Sequence, residues 1–169
     1  MGILNHKKPD IEETYELYAD MLYRIAFAQL GNDADAQDVV HDVFIKYLTK
    51  VPVFFNSEHQ KAWMIRVTIN HCHDIARRTS IRKTLPLEEA SHVTVETSHD
   101  LDSLMDTLSC IPEKYRDTVI LHYLEGFSVQ ETAKILGISL SATKMRLSRA
   151  REQLQALRKE ENDVSGKRD

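Results

Sequence analysis

The sequence has 169 residues, is 42% hydrophobic and 28% charged, and carries a formal net charge of −4. That apolar content is sufficient for a core, and the length accommodates one domain or two small ones. Only 5 Gly and 4 Pro argue against the many turns of a β-sandwich or barrel, and two cysteines exclude a disulfide-stapled scaffold. No apolar run suits a signal peptide or a membrane span, so we expect a cytoplasmic protein without membrane insertion.

Apolar residues recur at three- and four-residue spacing along most of the chain, which predicts an all-α protein. The first three predicted helices cover 11–30, from about 33 to just before Pro52, and from 57 to about 78. Asp33 is the candidate N-cap of the second helix. Ser57 and Gln60 have the spacing of a capping box that opens the third.

The helical pattern is interrupted between 79 and 100, where turn-forming and β-branched residues follow one another without a period. This composition predicts a flexible linker between two domains. A short β-segment at His92–Val95 is an alternative for part of it.

A second helical block begins near residue 101, and Pro112 ends or restarts its first helix. Ser128 and Glu131 form a second candidate capping box, whose short helix ends at Gly137. Ser139 or Ser141 caps a last helix that extends to about Arg158.

The charge is distributed unevenly along the chain. Segment 141–159 carries six basic residues against Glu152 alone, a net charge of +5, whereas segment 81–107 has a net charge of −4. A concentrated basic stripe is typical of a surface that binds phosphate, although a solvated helix face has the same pattern.

Two helices joined by a turn with a glycine, between Ser128 and Leu154, have the pattern of a helix-turn-helix motif. The second helix of such a motif enters the major groove of DNA with its N-terminus leading. An ordinary αα-hairpin is the alternative interpretation. The residues expected to contact bases or phosphates are Ser141, Ala142, Lys144, Met145, Arg146, Arg149 and Arg151.

Together the two blocks resemble bacterial RNA polymerase sigma factors of the extracytoplasmic-function (ECF) group, which keep sigma domains two and four joined by a linker. Residues 36–44 (AQDVVHDVF) are similar to the family's region 2.2, and residues 61–70 (KAWMIRVTIN) with 74–78 (DIARR) are similar to its later domain-two motifs. Residues 108–116 and 128–154 are similar to domain four. The resemblance implies a region 2 domain at 11–78, a linker at 79–100 and a region 4 domain at 101–158.

The resemblance also implies roles for residues of the first block. Docking on the β′ clamp helices of the polymerase is expected of Asp35, Asp38, Asp42 and Phe44. Recognition and melting of the −10 promoter element are expected of Phe54, Phe55, Asn56, Lys61, Arg66, Asn70, Arg77 and Arg78. Trp63 lies on an apolar stripe and is expected in the core.

For the second block, the resemblance implies that the last helix recognises the −35 element and that its domain meets the polymerase β flap. Core RNA polymerase, promoter DNA and an anti-sigma factor are thus the implied partners. A helix-turn-helix regulator that is not a polymerase subunit, or a protein-interaction adaptor, remain alternative hypotheses.

The sequence favours a protein that is not an enzyme and has no cofactor or metal. Three adjacent residues of a helix diverge by about 100° each, so His71, Cys72 and His73 cannot converge on one ion. No arrangement of nucleophile, base and orienting group can be assembled. A regulatory disulfide between Cys72 and Cys110 is possible but has no support.

Overall fold

The computed structural model of the chain describes residues 10–50, 53–83 and 99–166. Its helices are α1 Ile11–Leu30, α2 Asp33–Lys50, α3 Ser57–Lys83, α4 His99–Ser109, α5 Glu113–Val119, α6 Val129–Leu136 and α7 Leu140–Ser165, with a π-helical turn Ile120–Leu124 that continues α5. All regular elements within these ranges are helical, which confirms the predicted all-α class.

Helices α1, α2 and α3 pack together as an N-terminal bundle. Gly31 ends α1 in the left-handed conformation, with φ of 65°, and its N–H donates to the Phe27 carbonyl at 2.7 Å. A single further residue then leads into α2, so the two helices must pack closely side by side. Six apolar side chains at the centre of this bundle are almost completely buried: Leu22, Ile25, Val39, Val43, Met64 and Ile65.

Helices α5, α6 and α7 with the π-helical turn form a C-terminal bundle, and α4 leads into it while lying against α1. The Arg116 guanidinium fastens the corner between α4 and α5, because it donates to the carbonyl oxygens of Leu108, Ser109 and Ile111 at 2.9–3.2 Å. Buried apolar residues of both bundles belong to one continuous cluster, so the bundles pack against each other.

Two of the predicted helix starts in the N-terminal bundle are wrong by one residue. Asn32, not Asp33, caps α2, since its side chain accepts from the Asp35 N–H at 2.9 Å. Asn56, not Ser57, caps α3, since its side chain accepts from the His59 N–H at 2.8 Å. In each case a polar side chain one position earlier has the cap geometry, and the predicted residue is the first of the helix.

The starts predicted in the C-terminal bundle are confirmed. Ser128 accepts from the Glu131 N–H at 3.1 Å, and the Glu131 carboxylate accepts from the Ser128 N–H at 2.7 Å, which completes the capping box. The backbone N–H of Ser128, with a smaller effect of its side chain, lowers the pKa of the Glu131 carboxyl. Of the two serines considered for α7, Ser139 is the N-cap and accepts from the Ala142 N–H at 3.1 Å.

Two helices are longer than predicted. Helix α3 continues to Lys83 rather than to about Arg78, so residues 79–83 of the predicted linker are helical. Helix α7 continues to Ser165, past the predicted end near Arg158. The possible β-segment at His92–Val95 and most of the predicted linker lie outside the described residues.

Candidate nucleic-acid interface

Helices α6 and α7 have the predicted helix-turn-helix geometry. Gly137 adopts a left-handed conformation, with φ of 66°, and the three residues 137–139 connect the two helices. Ala133 is buried, and its small side chain permits the close approach of the helices. Ile135 of α6 and Leu147 of α7 are buried, whereas Val129, Leu136 and Ile138 are half-buried.

The side of α7 that faces away from its bundle is exposed to solvent. Ser141, Met145 and Ser148 follow one another at four- and three-residue spacing along its centre, and Met145 is 54% exposed. Ser148 was missed in the sequence analysis, although it lies seven residues after Ser141. Of the predicted residues, Ser141, Lys144, Met145, Arg149 and Arg151 are exposed, and Ala142 and Arg146 are half-buried.

The electrostatics of this side of α7 suit an anion. Lys144 lies one turn after the N-terminus of α7, where backbone N–H groups carry partial positive charge, and Arg149 and Arg151 follow further along the helix. Arg149 pairs with Glu152 at 3.2 Å, but both side chains are about 60% exposed. An exposed pair of this kind contributes at most about 1 kcal/mol, so it does not prevent Arg149 from reaching a phosphate.

Three of the predicted −10 residues share one side of α3. Arg66, Asn70 and Arg77 have the spacing i, i+4 and i+11, and we call this side the α3 stripe. Asn70 is exposed, and Arg77 is 68% exposed and pairs with Asp74 at 3.2 Å. His73, which is not among the predicted −10 residues, lies on the same side, three residues after Asn70.

Two other predicted −10 residues of α3 are not part of the stripe. The Lys61 ammonium lies 5.6 Å from the centre of the Phe127 ring in the C-terminal bundle and 3.9 Å from the Glu58 carboxylate. Arg78 is exposed but follows Arg77 directly, so it points about 100° away from it around the helix.

The loop before α3 contains two aromatic residues of the predicted −10 set, and their surroundings differ. Phe54 is half-buried, stacks on Tyr47 with ring centres 6.2 Å apart and touches Trp63 edge-on at 5.7 Å. Phe55 is 88% exposed and stacks on His59. Phe55 is therefore accessible to a nucleic-acid base, while Phe54 supports the loop and Trp63 is partly buried against the core.

Asn56, the remaining predicted −10 residue, has its side-chain oxygen occupied by the α3 cap.

The acidic side of α2 differs from the prediction in one residue. Asp38 is exposed and Asp35 is half-buried, and Asp42 accepts a hydrogen bond from His71 of α3 at 2.9 Å. Phe44, which is predicted to contact a partner, is only 6% exposed and packs on the Tyr15 ring, so the structure places it in the core.

Two apolar residues on the exposed part of α2 are not among the predicted docking residues. Ile45 and Leu48 are 44% and 45% exposed, and Ile45 follows Asp38 by seven residues. It therefore lies on the same side of the helix as Asp38 and Asp42. Leu48 follows Ile45 by three residues and lies next to it on the helix.

The two bundles contact each other through polar groups as well as apolar ones. Arg24 of α1 forms two hydrogen bonds with the Glu125 carboxylate, at 2.9 and 3.0 Å. Asp117 of α5 is buried and accepts from Gln29 at 2.5 Å and from His73 at 2.9 Å. The other ring nitrogen of His73 lies 2.6 Å from the Glu113 carboxylate.

His71, Cys72 and His73 point in different directions, as helical geometry requires. His71 pairs with Asp42, Cys72 is buried, and His73 contacts the C-terminal bundle. Burial, with a smaller effect of the Asp117 charge, raises the pKa of the Cys72 thiol to about 12, so it stays protonated. Cys110 is exposed, and neither cysteine forms a disulfide.

Within residues 10–50, 53–83 and 99–166, no group of three or more His, Cys, Asp or Glu side chains has an arrangement that could hold a metal ion. No helix in the same ranges is both long and apolar enough to cross a bilayer.

Comparison with known families identifies both bundles. A family model described as Sigma-70 region 2 matches residues 14–81, and one described as Sigma-70, region 4 matches residues 101–154. The chain belongs to the sigma-70 family. The alternative of a helix-turn-helix regulator unrelated to sigma factors is not favoured, because the N-terminal bundle matches a sigma region as well.

The relatives of this sigma factor belong to the ECF group. The chain is 30% identical to the ECF RNA polymerase sigma factor SigE of Mycolicibacterium smegmatis, over 86% of this chain and 60% of the relative. It is 25% identical to the ECF RNA polymerase sigma factor SigW of Bacillus subtilis, over 88% of this chain and 87% of the relative. The chain thus spans less than two thirds of the first relative's length.

Solved structures agree with this assignment. The sigma factor RpoE, solved in complex with the anti-sigma factor NepR from Bartonella quintana, is 27% identical with a TM-score of 0.70, covering 89% of this chain and 97% of that one. CnrH, solved in complex with the cytosolic domain of CnrY, has the same fold, with 24% identity and a TM-score of 0.68 over 87% of this chain and 86% of that one.

Proposed function

We propose that this chain is an ECF sigma factor that binds core RNA polymerase and directs it to promoters through a −10 and a −35 element. The observation that carries the proposal is the pairing of two sigma-region bundles, each with one helix whose accessible side is basic. The α3 stripe supplies the side chains for the −10 element, and the outward side of α7 supplies those for the −35 element. The protein contributes binding energy rather than a catalytic group, and it acts in the cytoplasm.

Docking on the polymerase is assigned to the exposed side of α2. Asp38 and Asp42 supply negative charge there, and Ile45 and Leu48 supply apolar area next to it. Charged groups at the rim of such a surface steer association and set the orientation of the partner, while apolar contacts at its centre contribute affinity. This combination suits a basic, partly apolar helix pair such as the β′ clamp helices.

Recognition of the −10 element is assigned to Phe55 and the α3 stripe. A base that leaves the duplex must be stacked and hydrogen-bonded to offset the cost of unstacking, which is a few kcal/mol. Phe55 offers an exposed ring for stacking, Asn70 offers an amide for hydrogen bonds, and Arg66 and Arg77 offer charge for the backbone.

Recognition of the −35 element is assigned to the N-terminal half of α7. Ser141, Met145 and Ser148 lie at the centre of the face that would enter the major groove, where Met145 suits a thymine methyl group. Lys144 and Arg149 flank them and suit phosphates. The C-terminal bundle is also expected to meet the polymerase β flap.

An anti-sigma factor is proposed as a further partner. The support is that the solved relative RpoE, at a TM-score of 0.70, is in complex with the anti-sigma factor NepR.

The test is transcription with purified core RNA polymerase. We expect the chain to co-purify with core polymerase and to give run-off transcripts from a subset of promoters in a genomic library, with weak DNA binding when core is absent. Tight operator binding by the free chain without core association would instead support a regulator that is not a polymerase subunit.

A charge reversal tests the docking surface. Asp38→Arg is expected to lower core affinity about tenfold or more, because a rim carboxylate becomes a like charge to its partner. Asp42→Arg is less suitable, since Asp42 also accepts a hydrogen bond from His71. Glu16→Arg, at an exposed position of α1, is the matched control and should bind core normally. Equal core affinity of the two variants would overturn the assignment.

A further inference from the structure

The contact between the bundles includes a histidine whose two ring nitrogens both face carboxylates. His73 Nδ1 lies 2.6 Å from Glu113 Oε1, and its Nε2 lies 2.9 Å from Asp117 Oδ1. A neutral imidazole has one N–H group and one lone pair, so it can donate to only one of the two oxygens. The observed geometry therefore fits the imidazolium form, with one proton on each nitrogen.

Asp117 makes this contact sensitive to the arrangement of the bundles. Its side chain is only 7% exposed, and the two hydrogen bonds to its Oδ1 come from the N-terminal bundle, from Gln29 at 2.5 Å and from His73. A buried carboxylate without partners is strongly unfavourable, whereas the same group in water is not. Loss of one proton from His73 removes the positive charge that faces the two carboxylates and leaves one of them without its hydrogen bond from the ring, which favours an arrangement in which both carboxylates are hydrated.

The groups around His73 favour its charged form. On the α5 side they are Glu113 and Asp117, on α3 they are Arg77 with its partner Asp74, and α1 contributes the uncharged Gln29. Burial by itself lowers the pKa of His73. The hydrogen bond to Asp117 and the charges of both carboxylates outweigh burial and the repulsion from Arg77, so the pKa is raised above 6.5.

We propose that His73, Glu113 and Asp117 form a proton-dependent latch that holds the C-terminal bundle against α3. The latch closes when His73 carries its second ring proton, and it opens when that proton is lost. The Arg24–Glu125 pair lies on a different part of the contact and involves no histidine, so it does not account for a change near neutral pH.

The latch lies at the edge of the surface proposed for the −10 element. His73 follows Asn70 by three residues and precedes Arg77 by four, so the three side chains are neighbours on α3. In the closed arrangement, Glu113 and Asp117 bring two carboxylates beside the α3 stripe, where they oppose an incoming phosphate. Opening removes them and leaves His73 facing the same direction as Arg77.

The sign of the pH effect follows from the raised pKa. When the latch opens, His73 enters water and regains its ordinary pKa of 6.5. Below that pH His73 is charged in both arrangements, and closure is at its strongest. Between pH 6.5 and the higher pKa of the closed form, the ratio of closed to open molecules falls by up to about tenfold per pH unit, the limit for one proton, and above that pKa it is constant.

The experiment is single-molecule fluorescence energy transfer on the full chain, which reports the distance between a dye on each side of the contact. It requires neither polymerase nor DNA, so its result does not depend on the test of the proposed function. One dye is attached to Cys110, which is exposed, and the second to a cysteine introduced on α1 by Glu16→Cys. Cys72 is not labelled, because it is buried and its thiol stays protonated. We expect a high-transfer population at about pH 6 that declines as the pH rises above 6.5.

Three variants decide the origin of this decline. His73→Gln should remove the pH dependence and keep transfer low throughout, and Glu113→Gln should flatten it without leaving a buried charge, because Glu113 is 44% exposed. The matched control is His71→Gln, which removes the pair between another histidine of α3 and Asp42 of α2 inside the N-terminal bundle and should preserve the decline. Circular dichroism verifies that each variant is folded.

Transfer that does not change with pH in the unmodified sequence would overturn the latch. A decline that persists in His73→Gln, or that disappears in His71→Gln, would also overturn it, since the titrating group would then lie elsewhere.

Discussion

Helices α3 and α7 carry the two surfaces proposed to contact the promoter, but their surroundings differ. Helix α7 buries Leu147 and Ala150 on one side, and its opposite side faces solvent. Helix α3 is buried on its apolar side and is also bordered by the C-terminal bundle at Lys61 and His73. The −35 surface is thus complete once its own bundle folds, whereas the −10 surface also depends on where the other bundle lies.

This difference indicates that the two bundles have different roles. The C-terminal bundle presents a basic helix outward and an acidic edge, Glu113, Asp117 and Glu125, toward the N-terminal bundle. Because the two surfaces are on different helices, substitutions can separate them. The following predictions are ordered from the largest expected effect to the smallest.

Leu147→Ala should destabilise the C-terminal bundle by about 2–5 kcal/mol, because it leaves a cavity where a side chain is 4% exposed. Urea unfolding measures the loss. Ser148→Ala, next to it on the exposed side, is the control and should change stability by less than about 0.5 kcal/mol. Similar results for both variants would mean that α7 does not bury the side assigned to it.

Phe55→Ala should weaken promoter opening by about 1–3 kcal/mol without changing stability, because an exposed stacking ring is lost. Permanganate reactivity of thymines in the −10 region measures opening. Phe54→Ala is the contrasting variant: it should lower the free energy of unfolding, because Phe54 packs on Tyr47 and Trp63. Normal opening by Phe55→Ala would remove this residue from the −10 surface.

Removal of a helix-capping side chain should lower the free energy of unfolding by about 1 kcal/mol. Ser128→Ala should destabilise the C-terminal bundle by that amount, and Asn56→Ala should do the same for the N-terminal bundle. Ser57→Ala should have almost no effect, since Asn56 makes the cap hydrogen bond. Denaturant unfolding compares the three variants. A larger loss for Ser57→Ala than for Asn56→Ala would contradict the observed start of α3.

Arg149→Ala should have the smallest effect of these variants, and we expect it on the salt dependence of promoter binding. If Arg149 contacts a phosphate, its loss reduces the slope of log affinity against log salt by about 1, and does so for all promoters alike. Binding of the holoenzyme to promoter DNA at several salt concentrations measures the slope. Glu152→Gln is the control, because it removes the partner of Arg149 and should not reduce the slope. A loss confined to one −35 sequence would indicate a base contact instead.

Local features were predicted well where a single short segment decides them. The Ser128 capping box and the left-handed Gly137 depend on residues three or four positions apart, and both are present. The prediction was wrong where two adjacent polar residues compete, as at Asn56 and Ser57, because spacing does not show which side chain reaches the free N–H groups. The core position of Phe44 was not evident from the sequence, because an apolar residue beside acidic ones suits both a docking surface and a core.

The sequence by itself determined the helical class, the helix-turn-helix motif, the basic stripe of α7 and the resemblance to ECF sigma factors. These depend on periodicity, capping and motif order, which are local properties of the chain. Only the tertiary structure decided that Phe55 is exposed, that Phe44 is buried and that His73 bridges the bundles. His73 and Asp117 are 44 positions apart, and Gln29 and Asp117 are 88 apart. Contacts at such separations arise from packing, which places their charges and sets the pKa of His73.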